Sequence, residues 1–83
     1  MNNKEYYLKE LETRVNDLSD QAINKTSFDM VGIKKDLPQK VKKQLAEFNR
    51  LILFSMNYGA SKNEILDSRD GVLESIKNLF INI

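Results

Sequence analysis

The chain contains no cysteine and no histidine. The first absence excludes disulfides, a thiol nucleophile and thiolate metal ligands. The second removes the commonest general base and the commonest zinc ligand. An acid–base enzyme would have to run on carboxylates, lysine or tyrosine alone. The expectation is therefore a protein that is not an enzyme, with no catalytic residue, no cofactor and no metal site. Long apolar runs are missing too. The longest, Leu51-Ile52-Leu53-Phe54, is far short of the roughly 20 residues a membrane span needs. The start, Met1-Asn2-Asn3-Lys4-Glu5, lacks the basic-then-apolar layout of a secretory signal. A soluble, cytoplasmic protein is expected.

What is present fits one domain over residues 1–83. A chain this short buries only about 60% of the surface its unfolded form exposes, so the core is thin. Small domains of this kind often gain stability from a second chain. There are 13 basic and 12 acidic residues, net +1, so no polyanionic partner is demanded overall. The charge is unevenly spread. Residues 34–50 carry six basic and two acidic side chains, net +4, while the flanking segments are weakly acidic.

Apolar spacing points to three α-helices. Leu8, Leu11, Val15, Leu18 and Ala22 follow gaps of 3 and 4, a coiled-coil-like seam. Glu5–Lys9 and Glu10–Arg14 add favourable i,i+4 pairs. This predicts a first helix over 3–25. Thr26, Ser27, Asp29 and Gly32 then interrupt the pattern. Phe28, Met30, Val31 and Ile33 in the same stretch need cover, so 26–36 is expected to fold over the bundle as an irregular segment or short helical turn. A second helix opens at Asp36-Leu37-Pro38, with Pro in the first turn, and runs over 37–58. Its stripe is Val41, Leu45, Phe48, Leu51, Ile52, Ser55 and Tyr58, and Gly59 stops it. Ser61-Lys62-Asn63-Glu64 reads as a capping box that opens a third helix over 61–81. Ile65, Val72, Ile76 and Leu79 form its stripe, widened by Leu66, Leu73 and Phe80. Gly71 sits mid-helix at a cost of about 1 kcal/mol relative to Ala. The short Gly59–Ser61 link makes the last two helices a tight hairpin. The fold class is all-α, a three-helix antiparallel bundle. Its expected core is Leu11, Val15, Leu18, Val41, Leu45, Phe48, Ile52, Ile65, Val72, Ile76 and Leu79.

Three constellations have chemical content. Residues 54–65 resemble the centre of a helix-turn-helix, which would set Ser61, Lys62 and Asn63 against DNA. Asp67, beside them, would repel phosphate. The lysines of 34–50 suit an acidic surface, though a solvated helix face is the simpler account. Asp67, Asp70 and Glu74 share one helical face. Without an opposing ligand helix they read as an exposed acidic stripe rather than a cation site.

The segment from Arg50 to Leu79, with its Tyr58-Gly59 turn and Glu64-Ile65-Leu66, resembles the helical hairpins that inactivate sporulation response regulators. That resemblance implies a hairpin directed at a response regulator. The family's Ser-Gln-Glu-Leu-Asp core falls here on Arg69-Asp70-Gly71-Val72-Leu73, so no catalytic role carries over. The length, the Pro-containing mid-chain loop and the long last helix resemble type III secretion needle subunits. The general build is similar to small bacteriocin-immunity bundles. All three are bacterial and all act by contacting other proteins.

The function expected from the residues is protein–protein contact, as a regulator, immunity-type factor, chaperone-like adaptor or assembly subunit, with homo-oligomerisation open. Tyr6, Tyr7, Leu8, Leu11, Val15, Leu18, Lys40, Lys43 and Phe80 are the candidate interface residues, because aromatic anchors dominate interface energetics. Nucleic-acid binding through Ser61, Lys62 and Asn63 is the alternative.

Overall fold

The structure, a computed structural model, describes residues 3–25 and 30–81. It has three helices: α1 (Asn3–Ile23), α2 (Gln39–Tyr58) and α3 (Lys62–Ile81). The all-α bundle expected from the spacing is present, and α2 and α3 form the tight hairpin. No described helix is long and apolar enough to cross a membrane.

The helix ends follow from backbone chemistry. The helical conformation of α1 stops two residues before the expected end. Asn24 N–H donates to the Asp20 carbonyl at 3.0 Å, and Lys25 then turns left-handed with φ 57°. A non-glycine residue adopts that conformation with strain. Pro38 precedes the first helical turn of α2 rather than lying in it. Its carbonyl accepts the Lys42 amide at 3.0 Å, so the ring needs no N–H there. Gly59 ends α2 at φ 81°, ψ 144°, a region essentially reserved for glycine. The Ser61 hydroxyl accepts the Glu64 amide at 3.1 Å, the expected cap of α3.

Direction is where the bundle adds to the sequence pattern. The ends of α1 and α2 lie together beside the start of α3, around one groove lined by Ala22, Met56 and Ile65. At the other end, Lys34 lies over Tyr7 of α1 and Lys42 reaches the Lys35 carbonyl. So α1 and α2 run in the same direction, and α3 runs against both. Residues 30–38 run back along the bundle towards the start of α2. Between 30 and 34 the chain is irregular, one of the two forms expected for this stretch; residues 26–29 lie outside the described residues. Val31 is held by Asn49 of α2. Its N–H donates to Asn49 Oδ1 at 3.1 Å and its carbonyl accepts Asn49 Nδ2 at 2.9 Å. The amide side chain thus satisfies both backbone groups of a buried residue, as a neighbouring strand would.

The core contains ten of the eleven expected residues, from Leu11 to Ile76. Leu79 is a correction: in the last turn of α3 it is only half-buried and packs against the core from its edge. Leu8, Val31 and Leu37 join the core. Tyr58 and Ser55 are also corrected. Tyr58 is 78% exposed and Ser55 half-buried. The 3–4 spacing drifts through Leu51, about 100° around the helix from Ile52, and leaves the buried side.

Candidate protein-docking surface

The expected interface residues separate into different environments. Leu8, Leu11, Val15 and Leu18 are buried and form the bundle's own core. The α1 seam is therefore filled from within by α3 and α2, and is not a surface as it stands. Phe80 is half-buried against the same core. Tyr6 is exposed, but its neighbour Tyr7 is half-buried under the returning chain. Lys34 Nζ lies 4.0 Å from the Tyr7 ring centroid, a cation–π contact. Burial and then the Asp36 carboxylate push the Tyr7 phenol above its ordinary value of 10.0, with Glu10 adding to the rise. The nearby Lys34 amide softens it. That amide lies outside hydrogen-bonding geometry, so the buried hydroxyl is without a partner.

Lys40 and Lys43 are exposed as expected. They begin a second 3–4 stripe on α2 that continues through Glu47, Arg50, Phe54 and Tyr58, every one of them exposed. This stripe lies opposite the buried one of Val41, Leu45, Phe48 and Ile52. It passes from cations to aromatics along the helix. The Phe54 and Tyr58 rings pack on each other, with centroids 5.0 Å apart and planes at 37°. Leu53, 51% exposed, stands next to them, and Met56, 62% exposed, borders the groove with Ala22 and Ile65. Lys40, Lys43 and Arg50 make no ion pair with a described residue. Phe54, Tyr58 and Leu53 make an exposed apolar group at the C-terminal end of this stripe. Sequence reasoning found Lys40 and Lys43 but missed Phe54, Leu53 and Met56. The signal was available, since Lys40-Lys43-Glu47-Arg50-Phe54-Tyr58 has the same spacing as the core stripe.

Ser61, Lys62 and Asn63 are exposed at the start of α3. The helices α2 and α3 stay packed together as far as Gln44, Glu47, Gly71 and Val72. They form a long hairpin in a molecule 38 Å long and 21 Å across. Asp67, Asp70 and Glu74 are exposed on α3. Arg69 Nη2 pairs with Asp70 Oδ1 at 2.8 Å. Among the described residues no group of three or more acidic side chains converges on a cation position. No family model, no characterised protein and no solved structure matches this chain with significance.

Proposed function

We propose that this is a small non-enzymatic helical protein that works through protein–protein contact, with the outward stripe of α2 as its docking face. One observation carries the reading: α2 exposes a continuous row of side chains ending in the stacked Phe54 and Tyr58 rings. Aromatic and arginine side chains are those that supply interface hot spots. The contact is helix-to-helix packing. The regulator, adaptor and assembly-subunit roles all fit such a face.

A photo-crosslinking residue replacing Phe54 tests this in the cells that make the protein, with Thr13 on the exposed side of α1 as control. Covalent products at position 54 and none at position 13 are expected. No product at either position, or equal products at both, would contradict the reading.

A further inference from the structure

We infer that the α2 stripe docks on the same stripe of a second copy of this chain, the two helices antiparallel about a two-fold axis. This deepens the docking reading above and rests on it.

The ground is self-complementarity. The midpoint of α2, Gln39–Tyr58, falls between Phe48 and Asn49. A two-fold axis there sets Glu47 opposite Arg50 of the second copy. It sets Lys43 opposite Phe54. It brings Lys40 beside Asn57 and Tyr58. The stripe reads Lys, Lys, Glu, Arg, Phe, Tyr in one direction, and each half is the chemical complement of the other. An acid meets a guanidinium, and ammonium groups meet ring faces, the two contacts these side chains make best. Two-fold symmetry repeats each contact, so one stripe gives two Glu–Arg pairs and two Lys–Phe pairs. The parallel arrangement does the opposite. It would lay each residue on its own counterpart, cation on cation and Glu47 on Glu47. The antiparallel pairing is therefore selected by charge.

The three stripe cations are the right ones to be free for this, since none is ion-paired to a described residue of its own chain. The area sets the strength. The stripe is one helix wide and about 27 Å long. That is less than the roughly 800 Å² per partner of a standard stable interface. The dimer is accordingly weak and concentration-dependent, in the micromolar range or above. Leu53 flanks the seam on one side and extends its apolar cover; Met56 lies round the helix, in the groove with Ala22 and Ile65, and is not part of it.

Sedimentation equilibrium of the full chain across a wide concentration series tests the inference. The mass should rise from 9.6 kDa towards twice that value. Glu47→Arg and Arg50→Glu should each weaken association by about tenfold or more, because each sets like charges together twice. The double variant Glu47→Arg/Arg50→Glu should restore it. Both sites are exposed, and thermal melts that match wild type exclude a folding defect. A wild type that stays at 9.6 kDa at every concentration would overturn the proposal. So would single variants that dimerise normally, or a double variant that stays as weak as the singles. Failure of the docking reading looks different. A crosslinked product at position 54 of any mass other than twice the chain's removes the second copy and leaves the docking face standing. No product at all removes both.

Discussion

Asn49 shows how much one side chain can organise. It supplies both hydrogen bonds to Val31, the residue that seats the returning chain in the core. Asn49→Ala leaves a buried N–H and carbonyl unpaired, at about 1–3 kcal/mol each before water compensates. The expected result is a lower melting temperature, with the Val31 amide losing its hydrogen-exchange protection while the middles of the helices keep theirs. Tyr7 carries the opposite lesson. Its buried hydroxyl has no partner, so Tyr7→Phe should be neutral or stabilising by about 1 kcal/mol. The pH sign follows from the raised phenol. A folded-state value above the ordinary 10.0 means the neutral form is favoured by folding. Its contribution is intact below pH 10.0 and is lost as pH rises through the folded value. Urea melts of wild type should weaken above that pH more steeply than those of Tyr7→Phe.

Among the elements, α3 carries a glycine with no structural need for it. A Cβ built on Gly71 meets nothing within 4 Å, and its φ is not in the left-handed range. No neighbouring helix approaches it closely enough to require glycine. Gly71→Ala should stabilise by about 1 kcal/mol, read in a chemical melt. Gly59→Ala should do the reverse, since φ 81° strains any side chain. The helices themselves were legible because burial imposes the 3–4 spacing at Leu11, Val15, Leu18 and at Val41, Leu45, Phe48. The Ser61 cap was legible as a local hydrogen bond. The path of residues 30–38 was not. It depends on a contact between Val31 and Asn49, which no local propensity encodes. The docking stripe was half legible: its lysines were read as surface, while Tyr58 was absorbed into the core by a spacing that drifts around the helix.

For the molecule as a whole, the inward direction of the α1 seam decides which faces remain to be used. Leu11 and Leu18 are 4% and 2% exposed. Leu11→Asp or Leu18→Asp should therefore unfold the chain rather than dissociate a folded dimer, since each buries an unpaired charge. Circular dichroism reads this as loss of helix. The surface left over includes the outside of the α2–α3 hairpin, basic and aromatic on α2 and acidic on α3, besides the exposed side of α1. The α2 part of that outside is the proposed docking face. The most direct measurement is a dilution series followed by amide chemical shifts. Shifts that move with concentration and cluster at Lys40, Lys43, Glu47, Arg50, Phe54 and Tyr58 are the expected result. Shifts that stay fixed, or that move instead along the exposed side of α1 at Thr13 and Asp17, would contradict it.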